Sequence, residues 1–278
     1  MKGWVLICFL PVLALAQDAQ VMPASSTSFE HYVFLYSTTG LKVSTAPADA
    51  LPFFVERLTS KRNDFRRDKD FVEYIFTKTH RRFLKNYIQY SSFSDLLNKG
   101  DYNCLTGTAL YALLLDHFSI PYRIIETNYH IFLMAETSDG EVLLEATDPA
   151  HGFTDSKAEI EKRITTYRQN ATQKDTRNKR YYYFSFDLYN VVNLDEVLGL
   201  LYYNHAVIAY NNHEWVSTID YLEKASALYQ SPRLEEFSRI VLLSIEASKL
   251  DASLKENCVK KIQSVRKRKM EMVANVSY

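Results

Sequence analysis

The sequence predicts an α+β fold in which a buried helix precedes a small antiparallel sheet and further helices follow. Residues 104–118 are dense in Leu and Ala, which indicates a buried helix that ends at Ile120-Pro121. From Leu194 to about Met272 the apolar residues recur at helical spacing. Between these two regions lie three strand-like runs, at 121–127, 129–136 and 141–146.

Composition places the chain among ordinary globular proteins. Its 278 residues include 33 basic and 33 acidic side chains, a balance that gives no reason to expect nucleic acid or an anionic membrane as the main partner. With only 7 Gly and 7 Pro, long flexible linkers are not expected. The length fits one elaborate domain or two small ones.

The N-terminus has the layout of a secretory signal peptide. Lys2 gives a positive start, residues 5–15 form an apolar run, and Ala14-Leu15-Ala16 supplies the small-residue pattern of a cleavage site. The apolar run is short for a membrane span. We therefore predict a signal peptide over 1–16, a secreted or periplasmic protein, and no stable membrane span after cleavage. An uncleaved N-terminal anchor is the alternative.

The segments before the buried helix alternate between polar and helical patterns. Residues 17–27 are polar with small side chains, which is typical of a disordered lead-in. Apolar positions at helical spacing run through 46–59 and 66–90. Residues 91–103 are rich in Ser and Asn and contain Gly100-Asp101, so we predict a loop or short turn there.

The segments after the buried helix complete the predicted sheet. Ser138-Asp139-Gly140 predicts a hairpin turn between the second and third strands. Residues 156–169 have the pattern of a charged amphipathic helix, and 170–180 form a polar connector. Residues 181–189 alternate enough to be a strand, with a buried loop as the alternative.

Residues 201–232 have the pattern of a helical hairpin. Small residues such as Ala206 and Ala225 stand where two helices would cross, and large ones such as Trp215 would fill the space beside them. One clear repeat does not make a solenoid, because stacked repeats need neighbours. We therefore expect a helical cap on the α+β core, with the boundary near residue 190.

Two cysteines remain after the predicted cleavage, Cys104 and Cys258. Cys258 lies in a helical pattern rich in Lys and Glu, whereas Cys104 opens an apolar helix. Their contexts differ, so we expect two free thiols, with one bridge between them as the alternative. No paired metal-ligand spacing occurs among His80, His117, His205 and His213, and there is no Gly-rich phosphate loop, so we predict no metal site and no cofactor.

The nucleophile expected from these residues is Cys104. A thiol at a helix N-terminus meets the partial positive charge of unsatisfied backbone N–H groups, which favours the nucleophilic thiolate. The alternative for Cys104 alone is a small, inert core residue. His130, in the strand 129–136, shares a strand face with Phe132 and Met134 and could take the thiol proton or be a satisfied core residue.

An acid on the next strand could orient the imidazole. The candidates are Glu145 and Asp148, because a hairpin turning at 138–140 carries that strand back beside His130. The alternative for Asp148 is an ordinary turn residue before Pro149. The order is therefore nucleophile at a helix start, base on a strand, and acid on the following strand.

In this order and setting, residues 100–149 resemble the transglutaminase-like branch of the papain-type thiol enzymes. The resemblance implies a transglutaminase-like core over 28–190 and, since a subset of the family carries them, tetratricopeptide-like helices over 191–278. The family's acid usually lies in an Asp-Pro-Thr-like element about fifteen residues after the His, so the acid role passes to Glu145 first. Here the acid is Glu in place of the usual Asp, and the helix begins Cys-Leu-Thr-Gly.

The resemblance implies an enzyme that acts on peptide or amide bonds of a peptide or protein substrate, by hydrolysis or acyl transfer. Backbone N–H groups at the start of the 104–118 helix, with Asn103 or Tyr102, would bind the oxyanion. Many members with C-terminal helices lack a complete triad. The alternative is therefore an inactive module that binds a protein or peptide partner through these helices.

Overall fold

A five-stranded antiparallel sheet and ten helices account for most of the described residues, which are 26–40, 50–169 and 188–276 of this computed structural model. The predicted α+β class is confirmed. The predicted signal peptide and the connector at 170–180 lie outside the described residues, as does most of the predicted strand at 181–189. The predicted lead-in over 17–27 overlaps the described part at Ser26, where the first helix begins.

The described residues form ten helices and seven strands. The helices are α1 (Ser26–Ser37), α2 (Ala50–Arg62), α3 (Asp68–Phe83), α4 (Phe93–Lys99), α5 (Cys104–His117), α6 (Lys157–Gln169), α7 (Leu194–Asn211), α8 (Trp215–Leu228), α9 (Pro232–Ala247) and α10 (Ala252–Val276). The strands are β1 (Asn86–Tyr87), β2 (Asp101–Tyr102), β3 (Tyr122–Thr127), β4 (Ile131–Thr137), β5 (Gly140–Leu144), β6 (Phe153–Thr154) and β7 (Tyr189–Val192). The main sheet has the order β6-β5-β4-β3-β7, and β1 and β2 form a separate parallel pair.

The region before α5 differs from its prediction in two places. The helix predicted from the pattern at 66–90 is too long at its C-terminal end. In the structure α3 ends at Phe83, and the chain then forms β1, which pairs with β2. The predicted loop at 91–103 contains α4, whose N-terminus is held by a capping box between Ser92 and Asp95. Gly100, at a φ of 80°, ends α4 in the left-handed conformation that glycine tolerates best.

Helix α5 is the centre of the molecule, as its Leu- and Ala-rich sequence predicts. Every residue from Leu105 to Leu115 is buried. Gly107 lets the helix approach the end of β5, because a Cβ at this position would come within 2.7 Å of the Ala146 Cβ. The Thr108 hydroxyl donates a hydrogen bond to the Ile131 carbonyl at 3.2 Å. These contacts fix the first turns of α5 against the start of β4.

The main sheet is covered on both faces. One face, which includes Ile131, Leu133 and Ala135, joins the large core around α5. The other face, which includes Phe132 and Met134, packs with Ile160 and other residues of α6 in a second cluster. The predicted alternation along β4 and the predicted hairpin at 138–140 are both present.

The C-terminal helices continue the same core. Helices α7 and α8 form the helical hairpin predicted over 201–232, and apolar residues from α7 to α10 belong to the cluster that contains α5. The predicted domain boundary near residue 190 falls inside β7, which pairs with β3. In the described part of the chain, no helix combines the length and apolarity that a membrane crossing needs.

Candidate active site

Cys104 is the first residue of α5, where the preceding residue caps the helix. The Asn103 side chain accepts a hydrogen bond from the Thr106 backbone N–H at 2.9 Å, and the Thr106 hydroxyl accepts one from the Asn103 backbone at 3.0 Å. In an α-helix the first backbone N–H groups lack intrahelical acceptors, so those of Cys104 and Leu105 point out of the helix start. The thiol is half-buried and not in a disulfide.

Asn103 and Tyr102 were expected to bind the oxyanion, but in the structure both make other contacts. The Asn103 amide donates both of its hydrogens to backbone carbonyls, those of Gln89 and Ser91, at 3.1 Å each. It therefore has no hydrogen left for an oxyanion. Tyr102 is buried, with its ring edge-on to those of His80 and Tyr87. Asn103 thus supports the helix start, and the backbone N–H groups stay the candidate donors.

His130 lies directly before β4 in the tight connection from β3. Its backbone N–H donates to the Thr127 hydroxyl at 3.2 Å, and its carbonyl accepts from the Thr127 N–H at 2.7 Å. Its ring Nε2 is hydrogen-bonded to Glu145 Oε2. Cys104 and His130 line the same cleft, and the interaction with Cys104 raises the pKa of the ring. Because Nε2 is bonded to Glu145, Nδ1 is the nitrogen left to exchange a proton with the thiol.

Glu145 follows β5 and is held by several donors. Oε2 accepts from His130 and from the Tyr167 hydroxyl at 3.1 Å, and Oε1 accepts from the Thr147 backbone and hydroxyl at 2.9 and 2.7 Å. The residue is 2% exposed. Gly152 packs against this turn so closely that a Cβ there would meet the Glu145 carbonyl oxygen at 2.2 Å. A carboxylate with so many donors is fixed in place and stays ionised.

Asp148, the other acid candidate, faces different partners. Its carboxylate accepts from the His151 backbone N–H at 2.9 Å and from Arg163 at 3.2 Å. Both interactions belong to the turn that follows Glu145 and to the helix packed beside it. Of the two candidates, the structure brings Glu145 to the imidazole.

The electrostatics of the site favour a protonated imidazole. Burial by itself would lower the pKa of His130, but the hydrogen bonds with Cys104 and Glu145 and their negative charge raise it to about 10. Burial would likewise raise the pKa of Glu145, and the contacts with His130 and Thr147 outweigh it and hold that pKa below its usual range. At neutral pH the site therefore contains a carboxylate and an imidazolium beside the Cys104 sulfur.

Tyr167 is a site residue that the sequence reasoning missed. It lies on α6, its hydroxyl donates to Glu145, and its ring centroid is 4.6 Å from that of His130. Burial and the Glu145 charge raise the pKa of Tyr167, so it stays a hydrogen-bond donor. The 156–169 pattern predicted the helix, but no local signal ties a tyrosine 22 positions downstream to Glu145.

The site opens into a cleft of about 660 Å³ with three walls. The first wall is the start of α5 with the segment after β1, and the second is the β3–β4 connection. The third wall is formed by α7 and α9. The helical region thus faces the thiol directly.

Arg233, at the start of α9, joins that region to the β3–β4 connection. Its guanidinium donates to the carbonyls of Thr127 and Asn128 at 2.7 and 2.9 Å, and its Nε lies 3.1 Å from Glu126 Oε1 in a buried ion pair. Burial opposes the charge on Arg233, but Glu126 and weaker contributions that include Cys104 raise its pKa. The sequence reasoning did not single out Arg233.

No protein-family model matches this sequence, and comparisons with curated proteins and with solved structures gave no significant match. Among the described residues, no cluster of three or more His, Cys, Asp or Glu side chains could hold a metal ion. The chemistry of the site therefore has to be argued from its own side chains.

Proposed function

We propose that this protein is a thiol enzyme of the transglutaminase-like kind, which cleaves or transfers the acyl group of an amide. The observation that carries the proposal is that Cys104, at the start of α5, shares an open cleft with His130, whose ring is hydrogen-bonded to the buried Glu145. Cys104 is the first residue of α5, His130 directly precedes β4 and Glu145 directly follows β5, so the order that the family resemblance implies is kept although the base and the acid lie just outside their strands. The tetratricopeptide-like character of the C-terminal helices belongs to the same proposal.

In the first step the Cys104 thiolate attacks the substrate carbonyl and a C–S bond forms. The backbone N–H groups of Cys104 and Leu105 donate to the oxyanion that develops on that carbonyl. As the C–N bond breaks, the His130 imidazolium gives its proton to the departing nitrogen. The products of this step are a thioester on Cys104 and free ammonia or an amine.

In the second step water or a primary amine attacks the thioester. The neutral imidazole of His130 takes a proton from the attacking group, and the C–S bond breaks to return the thiolate. Water yields a carboxylic acid, and an amine yields a new amide. Glu145 holds the ring orientation and stabilises the imidazolium throughout, with Thr147 and Tyr167 fixing the carboxylate.

Alkylation by iodoacetamide at pH 6 tests the proposal, with Cys258 as an internal control. Cys258 is buried, and burial raises its pKa. We expect Cys104 to react at least a hundredfold faster than Cys258, and His130→Gln to slow Cys104 by about a hundredfold, because the thiolate loses the imidazolium that stabilises it. Peptide mapping by mass spectrometry measures both rates. Equal rates at the two cysteines, or no effect of His130→Gln, would remove the basis for the proposal.

Turnover separates an enzyme from an inactive binding module. The wild-type protein should release ammonia or an amine from an amide substrate and accumulate a thioester on Cys104, whereas Cys104→Ala should do neither. Binding of the same substrate with no thioester in the wild type would favour the module. Export remains a prediction of the pattern at residues 1–16, and N-terminal sequencing of the mature protein checks it.

A further inference from the structure

Helix α7 presents one continuous face to the cleft that begins at Cys104. The cleft-lining residues of α7 recur every three or four positions, which places them on one side of the helix. They are Leu200, Tyr203, Asn204, Val207, Tyr210 and Asn211. We name this face, together with the cleft floor at Cys104, the α7 groove.

The length of the α7 groove fits a short extended chain. At about 1.5 Å of rise per residue, Leu200 to Asn211 spans about 16 Å. An extended polypeptide advances about 3.3 Å per residue, so about five residues would cover that distance. A single amino acid would leave most of the groove empty.

The charges of the α7 groove cancel. Outside the catalytic side chains, the charged residues among those that line the cleft are Glu126 and Arg233, and they form an ion pair with each other. A charged side chain brought in by a substrate would therefore meet no opposite charge that is free to pair. Its desolvation would cost free energy without compensation.

Side-chain amides supply the polar groups of the α7 groove. Gln89, Asn204 and Asn211 line the cleft, and within the described chain their side chains bond no other protein group. An amide side chain both donates and accepts, which matches the N–H and C=O groups of a peptide backbone. Tyr90, which is exposed, and Tyr210, which is partly buried, line the same cleft and add aromatic surface.

We propose that the α7 groove binds the substrate and that the substrate is an extended, uncharged polypeptide segment of about five residues. This inference rests on the proposed function, because attack by Cys104 requires an acyl carbonyl at one end of the groove. A glycan could also use aromatic rings and amides, but it does not present a backbone amide to the thiol. The helical region is then a substrate-binding wall of the enzyme.

The test compares peptidyl chloromethyl ketones as alkylating agents of Cys104. The uncharged probe is acetyl-Ser-Tyr-Ala-Ala chloromethyl ketone, and two analogues carry Lys or Glu in place of Tyr. Each rate is divided by the iodoacetamide rate of the same variant, so that changes in thiol reactivity cancel. For the wild type we expect the uncharged probe to exceed each analogue at least tenfold.

The decisive variant should change which probe the groove prefers, from the uncharged one to a positively charged one. Asn204→Asp combined with Asn211→Asp adds two carboxylates at nearly constant shape, and we expect the Lys analogue to become the preferred probe by at least tenfold. Asn212→Asp is the matched control, because Asn212 is exposed, caps the end of α7 and does not line the cleft. The control should keep the wild-type order.

Two outcomes would overturn the inference. The first is an order of probes that the double variant leaves unchanged. The second is protection of Cys104 from iodoacetamide by chitotetraose but not by the corresponding peptide amide, which would make a glycan the occupant. If either result is found while the iodoacetamide reactivity of Cys104 still depends on His130, the groove does not bind the substrate but the proposed function stands. Loss of that dependence removes the proposed function instead.

Discussion

Two buried glutamates, one on the main sheet and one directly after one of its strands, have similar surroundings and different partners. Glu145, after β5, accepts from a tyrosine hydroxyl and pairs with His130, while Glu126, on β3, accepts from a tyrosine hydroxyl and pairs with Arg233. Both residues are 2% exposed. The cationic partner makes the difference, because the imidazolium of His130 can give its proton to a departing group and a guanidinium cannot. One pair can take part in proton transfer, and the other is a fixed clamp.

The two pairs also hold different parts of the site in place. The Glu145 pair holds a ring against the Cys104 thiol, whereas the Arg233 pair holds the backbone that carries that ring. Loss of the clamp should therefore appear mainly in stability. Loss of the Glu145 pair should appear mainly in the protonation and reactivity of the site.

The largest expected effect is on stability, from Arg233→Met. This change leaves Glu126 buried without its counter-ion, and breaking a buried pair from one side costs about 3–5 kcal/mol. Urea unfolding followed by circular dichroism measures the free energy of unfolding. Arg266→Met is the matched control, because Arg266 pairs with Glu235 near the surface, where a pair contributes about 0–1 kcal/mol. Equal losses in the two variants would contradict the clamp.

A smaller effect is expected on the titration of His130. In the wild type the imidazole should titrate near pH 10, because Cys104 and Glu145 stabilise its charged form. Glu145→Gln removes one negative charge, so the pKa should fall by about 2 units, which is about 2.7 kcal/mol. Nuclear magnetic resonance of ring-labelled histidine measures it. His80 and His117, whose pKa values burial lowers, are internal references. A wild-type midpoint at or below 6.5 would argue against the pair.

The smallest effect is expected from Tyr167→Phe, which deletes one hydrogen bond to Glu145. A hydrogen bond of this kind contributes about 1 kcal/mol, so alkylation of Cys104 at pH 6 should slow about fivefold. Tyr111→Phe is the control, since the buried Tyr111 hydroxyl donates to the Phe76 carbonyl at 3.1 Å, away from the triad. That variant should lose stability and keep the alkylation rate. An unchanged rate in Tyr167→Phe would place Tyr167 in packing only.

The sequence was most informative where the signals are local. The apolar composition of α5, the turn at 138–140 and the alternation along β4 predicted the elements that carry Cys104 and His130. These elements and Glu145 all lie within about fifty consecutive residues. The choice between Glu145 and Asp148 needed coordinates, because both lie in one turn and only the side-chain directions differ.

The sequence was least informative where partners are distant or where a polar residue has two uses. Arg233 meets Thr127 across 106 positions, and no periodicity records such a contact. Ser92 and Asp95 were read as loop residues although they form a capping box. Asn103 was predicted to be an oxyanion donor. In the structure its amide oxygen caps α5, and its amide hydrogens are donated to two backbone carbonyls.

The contact between Arg233 and the β3–β4 connection has a consequence for synthesis. A ribosome makes Cys104, His130 and Glu145 well before it reaches Arg233, so a growing chain has its thiol and imidazole but lacks the guanidinium that fixes the turn between them. The reactive pair is therefore completed only when α9 has emerged and folded back. A nascent or truncated chain would carry a cysteine whose base is not yet held in position.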